Sequence, residues 1–296
     1  MTFPFKYKNG NCEITIFENG TRIITTDDDF LKPNTPFNID IRVSNSCSFG
    51  YNEKTKSSFC YFCHESAITN GKQCDYLKLK QILNNIPKGT ELAIGSNDLT
   101  EELIDFIKWS HEKDFIVNLT INQGHLKRDL KAIQYLINNK FIKGLGVSYR
   151  ESLKWDIPES ILNYEHTIFH VICGIDDFNN VFNLKDFGVK KILILGEKDF
   201  GFNKHKVNLK SIKHEQWFWW VGKLFDMFDV VSFDNLSLEQ LKLERFFTKQ
   251  SWDLFNNEEH SMYINAVDEY FSPSSRSDIK KSFKDITLEK FFSQKY

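Results

Sequence analysis

Cys47 is followed, after twelve intervening residues, by Cys60-Tyr61-Phe62-Cys63. Three thiolates can hold three corners of a 4Fe-4S cluster and leave one iron without a protein ligand. An open iron can bind a small molecule and pass it an electron. The same residues admit other chemistry. Cys60-x-x-Cys63-His64 formally matches a c-type haem attachment motif, which needs an exported protein. Cys47, Cys60, Cys63 and His64 together make a zinc tetrad, although zinc ribbons usually pair two ligand knuckles and only one pair occurs here. The plainest alternative is three buried thiols with no ligand role.

The bulk numbers limit the choice. The chain has 296 residues, 41% apolar and 26% charged, with a net charge of −2. That describes a folded chain with a sizeable core and no global pull toward nucleic acid. No apolar run is long enough to span a membrane. The segment Met1 to Lys8 lacks the apolar stretch of a signal peptide, so a cytoplasmic setting with reduced thiols is expected. The six cysteines then read as metal-binding or catalytic rather than as a disulfide framework.

Alternating elements must position these thiols. Residues 12–26 alternate about an Asn19-Gly20 turn and read as a β-hairpin. A polar linker from Asp27 to Asn34 follows. Strand patterns cover 37–44, 91–94, 115–121, 142–149, 166–173 and 190–195. Helical patterns cover about 75–86, 100–113 and the stripe Leu126, Leu130, Ile133, Ile137. Glu101 and Glu102 sit favourably in a first helical turn. A weaker segment is broken by Pro158. Strand–helix alternation predicts a parallel sheet with right-handed crossovers. The expected fold is α/β: a partial (β/α)6 TIM-like barrel with an N-terminal β-hairpin and an α-rich C-terminal extension. The expected divisions are 1–36, 37–204 and 205–296.

A cysteine loop after the first strand, ending in Cys-x-aromatic-Cys with Phe62 as the aromatic residue, resembles the radical S-adenosylmethionine (radical SAM) superfamily. The usual spacing there is Cys-x3-Cys-x2-Cys, so the twelve-residue first gap departs from it; long first gaps occur in carboxydeazaguanine synthases. The resemblance covers about 37–200 and continues at successive strand ends. Ile94-Gly95-Ser96-Asn97-Asp98 partly matches a Gly-Gly-Glu-Pro-like turn. Leu119-Thr120-Ile121-Asn122 is similar to a Thr-Asn-Gly strand end. Val147-Ser148-Tyr149-Arg150 carries polar groups where that family reaches its cofactor. Ile172, Gly174 and Asp177 fit the strand-five pattern, and His170 does not.

The resemblance implies a 4Fe-4S cluster on Cys47, Cys60 and Cys63. It implies S-adenosylmethionine bound near Phe62, Gly95, Ser96, Asn97, Thr120, Asn122, Ser148, Arg150, Ile172, Gly174 and Leu195. It also implies a flavodoxin- or ferredoxin-type electron donor and a peptide, protein or nucleoside-like substrate. A deazaguanine-type activity is the nearest enzymatic alternative; a zinc-stabilised binding module is the rival of another class. No cysteine follows Cys173, so no auxiliary cluster is expected. Cys12, Cys74 and Cys173 read as structural. Trp217, Trp219 and Trp220 read as packing against the sheet.

Overall fold

The computed structural model describes residues 3–95, 98–255 and 260–294, with the side chains of 253–255 outside that description. Two sheets form. The smaller contains β1 (Phe5–Asn9), β2 (Cys12–Ile16) and β3 (Arg22–Thr25), paired antiparallel in that order. The expected hairpin is β2–β3, and β1 adds a third strand. A short strand, β5 (Ser46–Tyr51), lies outside both sheets.

The larger sheet contains β4 (Asn38–Arg42), β6 (Glu91–Gly95), β7 (Ile116–Asn122), β8 (Gly144–Ser148), β9 (Thr167–Ile172), β10 (Lys191–Leu195), β11 (Val230–Phe233), β12 (Ser261–Asn265), β13 (Tyr270–Ser272) and β14 (Lys281–Ser282). Its order is β11-β10-β9-β8-β7-β6-β4-β12-β13-β14. From β11 to β12 every pairing is parallel; β13 and β14 are antiparallel. The sequence count of six parallel strands is therefore corrected to eight. The two added strands lie in the segment expected to be α-rich, which adds four strands to the main sheet besides its helices. The run Val230 to Phe233 reads as strand-like in the sequence and forms β11, whereas β12 is buried on both faces and so lacks the alternation that marks a half-buried strand.

Between strands run α1 (Tyr76–Leu83), α2 (Glu101–Glu112) and α3 (Leu126–Asn138). Asp75 and Thr100 cap the first two by accepting N–H bonds. Leu79, Leu83, Leu103, Phe106, Ile133 and Leu136 pack with Ile39, Ile41, Leu92, Ile94, Val117 and Leu119 in one core. Strand order from β4 to β11 never reverses, so right-handed crossovers put these helices on one face. The other face carries Asn38, Asp40 and Arg42, then Glu91, Ala93 and Gly95, then Asn118, Thr120 and Asn122. Every one of them is half-buried or exposed.

The sheet curves around this polar face. Lys198, just past β10, donates to Ser275 Oγ, just past β13, at 3.2 Å. Seven strand spacings separate β10 from β13, which would be about 34 Å in a flat sheet. A hydrogen bond over that span requires the ends to bend toward each other. No ladder joins β11 to β12 among the described residues. No helix among the described residues is long and apolar enough to cross a membrane.

Candidate functional site

The cysteine loop leaves β4 and is held by main-chain bonds. Tyr51 N–H donates to Ala67, Ile68 N–H to Asn45 and Thr69 N–H to Tyr51. Gly50 lies so close to Ala67 that an added Cβ would meet its carbonyl oxygen at 2.5 Å. The long first gap is an excursion that returns on itself. An isolated bridge pairs Asn52 with Ser57, and Phe59 N–H donates to the Phe49 carbonyl at 3.2 Å. Phe49 and Phe59 rings lie 4.8 Å apart. Without residues 50–58, Cys47 and Cys60 would be separated by Ser48, Phe49 and Phe59 alone, the three-residue spacing of the family the loop resembles.

Cys47 and Cys60 are buried and Cys63 is half-buried; all are free thiols. Burial pushes the Cys47 thiol up to about 11, opposed by a Phe49 N–H on its sulfur and reinforced by negative charge at Cys60, Asp98 and Cys63. Burial likewise raises Cys63, opposed by the N–H groups of Ala67 and Glu65 and reinforced by Cys60. Among the described residues, no three His, Cys, Asp or Glu side chains are already gathered as a metal group. The donors fit an iron–sulfur cluster in kind: three thiols on one loop, with backbone N–H groups directed at two of the sulfurs. Such bonds tune cluster thiolates, and a bound cation would oppose the burial that raises the Cys47 and Cys63 thiols.

The fourth zinc candidate is otherwise engaged. His64 Nε2 lies 3.1 Å from Glu65 Oε1 and 3.4 Å from Lys198 Nζ. Burial, then the Lys198 charge, lowers the His64 pKa. Glu65 loses solvation by burial, yet its bond to His64 and the charges of His64, Arg42 and Lys198 bring it down to about 2. Arg42 Nε meets Glu65 Oε2 at 2.6 Å.

The strand-end residues come together by register. Gly95 pairs with Thr120, Asn122 with Ser148, and Ile172 with Leu195. They line adjacent C-terminal ends of parallel strands, where (β/α) folds build sites. Among the described residues, nothing lies within 4 Å of a Cβ added to Gly95. Arg150, just past β8, lies over the Phe62 ring at 4.8 Å and ties the cysteine loop to this row. Its backbone N–H donates to Gln123 Oε1 at 3.0 Å. Arg128 joins Asp98 at 2.8 Å and Ser48 Oγ at 3.4 Å, clipping the β6 end to the loop. Ser96 and Asn97 lie outside the described residues. Gly174, at φ +87°, packs against the His214 ring; a Cβ there would meet Nε2 at 2.1 Å. Asp177 caps the short helix α5 (Phe178–Phe182), as α4 (Glu159–Leu162) precedes it between β8 and β9.

The structure brings forward residues that the sequence reading did not assign to a site, among them His214, which beside a lysine-rich segment reads as solvated surface but is buried. His170 faces the polar side of β9 and is pushed down to about 4 by burial and then by Arg150. Gly146 makes room for it: a Cβ there would meet the His170 ring at 2.6 Å and Thr120 Oγ1 at 2.7 Å. Asp176 is buried and pushed up to about 6 by desolvation, against the opposing pull of Arg150. Glu197 and His214 form a buried pair at 2.8 Å, with Asn203 donating to Glu197 at 3.0 Å. Asp40 and Arg42 had a readable signal, polar residues alternating with Ile39 and Ile41. The others needed the strand pairing.

Cys12 lies in β2 and Cys74 just before α1, and Cys173 is wholly buried beside Gln240. Trp217 is buried with its Nε1–H on the Asp176 carbonyl, whereas Trp219 and Trp220 are exposed. Compared with known proteins, the chain matches no family model and no curated sequence, so the resemblance rests on its residues alone.

Proposed function

We propose that the chain is a radical SAM enzyme acting on a peptide, protein or nucleoside-like substrate, built on a partial barrel that spans 37–204 and is extended by 205–296. The observation that carries this reading is the returning cysteine loop. It folds the twelve-residue gap back on itself through the Asn52–Ser57 bridge and the Phe59–Phe49 bond, and Phe62 between the last two cysteines lies under Arg150, just past β8. Cys47, Cys60 and Cys63 would hold a 4Fe-4S cluster. When bound, that cluster supplies one electron to S-adenosylmethionine, whose C–S cleavage gives a 5′-deoxyadenosyl radical able to take hydrogen from carbon.

The remaining steps belong to the protein. Gly95 would let a cofactor approach the β6 end. Thr120, Asn122 and Ser148 offer hydroxyl and amide groups along the same row. Arg150, held in place by Phe62 and Gln123, presents a cation suited to a carboxylate. The apolar ends Ile172 and Leu195 keep water from one side. A flavodoxin- or ferredoxin-type donor would supply electrons in a reducing, cytoplasmic compartment.

The test is oxygen-free reconstitution followed by metal counting, then dithionite and S-adenosylmethionine. About four irons per chain and release of 5′-deoxyadenosine are expected. Zinc retained at one per chain with no such release would favour the binding-module reading, with His64 turning from Glu65 to the metal.

A further inference from the structure

On the polar face, most charged side chains already have protein partners. Glu91 meets Arg22 and Asn118. Asp234 receives the N–H groups of Gly196 and Ser237. Lys198 donates to Ser275 Oγ, and Arg42 is paired with Glu65. Asp40 differs: among the described residues its carboxylate makes no hydrogen bond and no ion pair, although water can reach it. Beside it in register on β6 is Ala93, which offers only a methyl group. Beside it on β12 is Tyr263. Tyr263 is 6% exposed, and its hydroxyl has no hydrogen-bond partner among the described residues. The two groups feel one another electrostatically. Glu91 and Asp234 add negative charge at Asp40 and Lys198 opposes them, while Arg42, paired with Glu65, also acts on Tyr263.

We infer that Asp40 and Tyr263 form a substrate-recognition site for a cationic hydrogen-bond donor, a protonated amine or guanidinium carried by the substrate. A carboxylate beside an aromatic ring satisfies such a group twice, by a charge-assisted bond and by the ring face. The small side chain of Ala93 leaves the space, and the phenol oxygen offers a second acceptor. This inference deepens the proposed function and rests on it for the reaction, while the binding itself needs no cluster.

The experiment is calorimetric titration of the full chain, with and without reconstituted iron, using N-acetyl-argininamide, N-acetyl-lysinamide and the neutral N-acetyl-citrullinamide. At least one cationic probe should bind roughly tenfold tighter than the neutral one, the factor that 1.4 kcal/mol produces. Asp40→Asn should abolish that preference, Asp40→Glu should retain part of it, and Tyr263→Phe should weaken cation binding severalfold. Thermal melts confirm that each variant is folded. Equal affinity for charged and neutral probes, no binding in the millimolar range, or an unaltered preference in folded Asp40→Asn would each overturn the inference. Binding without 5′-deoxyadenosine release would sink the enzyme reading and leave this site standing. Preference for the arginine or the lysine probe identifies which cation it takes.

Discussion

The two ends of the parallel strands are built on opposite principles. At the N-terminal end the small sheet closes the fold. Phe5 and Tyr7 press on Gly89, where an added Cβ would meet their rings at 2.7 and 2.8 Å. Cys12, Ile14, Ile16 and Phe37 form a second core with Ile116 packed against it. Lys143 lies over the Phe3 ring at 5.1 Å and donates to the Glu18 carbonyl. At the C-terminal end the chain instead collects desolvated thiols, raised carboxyls and a neutral histidine. One end is closed mainly by apolar packing, although the Tyr7 hydroxyl is buried there without a hydrogen-bond partner; the other gathers ionisable side chains, as sites that await a ligand do. The contrast separates positions whose substitution should unfold the protein from positions whose substitution should silence it.

Cysteine substitutions give the sharpest break. Cys47→Ala should abolish iron retention and 5′-deoxyadenosine release while the melting temperature barely moves. Cys12→Ala, at the opposite end, should keep both and lose roughly 1 kcal/mol of stability. Metal counting and thermal melts on the two proteins check this, and equal iron loss in both would erase the distinction. Next in size is Phe37→Ala. Its ring is almost wholly buried in the second core, so about 3–5 kcal/mol should be lost in urea unfolding. The iron content of the folded fraction should stay unchanged.

What could be read from the chain follows the same division. Helices α1 to α3 and the strands between them were legible because Leu79, Leu83, Ile133 and their neighbours recur at helical spacing and the strands alternate. The cysteine trio was legible as chemistry but not as geometry: nothing local says that Asn52 and Ser57 pair and return the chain. Strand β12 was hidden because Met262, Tyr263, Ile264 and Asn265 are all buried, leaving no period of two. With it went Tyr263, whose partner Asp40 lies more than two hundred residues earlier. The packing around Gly174 was hidden for a related reason. A glycine at a strand end fits either a cofactor or a neighbouring ring, and only packing shows that the ring is His214.

Acidity tests the C-terminal end more finely. Asp176 is pushed up to about 6 from an ordinary value near 4. Between those values the folded chain holds a proton that the unfolded chain has released. Its contribution to stability is therefore full below about pH 4 and lost as pH rises through 6, a cost of about 3 kcal/mol at most. Asp176→Asn can still receive the Ile172 N–H that the aspartate accepts at 2.7 Å. Urea unfolding should show the variant more stable by about 1–3 kcal/mol at pH 7.5 and equal to the parent near pH 4. His170 has the opposite sign. Pushed down to about 4, it removes stability as pH falls from 6.5, because the unfolded chain protonates first. The variant should accordingly lose more stability on acidification than the parent does.

The smallest expected effect lies where the two ends communicate. Arg22 of β3 meets Glu91 of β6 at 3.0 Å, and Asn118 donates to the same carboxylate at 2.6 Å. Gly144 leaves the Asn118 amide its place, since a Cβ there would meet Oδ1 at 2.6 Å. Arg22→Ala removes the cation of a half-exposed pair and should cost at most about 1 kcal/mol. Its second consequence is more telling. Glu91 already raises the Asp40 pKa, and without Arg22 its charge acts uncompensated on the polar face. The Asp40 carboxyl, followed by carbon-13 NMR, should titrate at a higher pH in Arg22→Ala than in the parent. An unmoved titration would mean that the closed end and the open end are electrically independent.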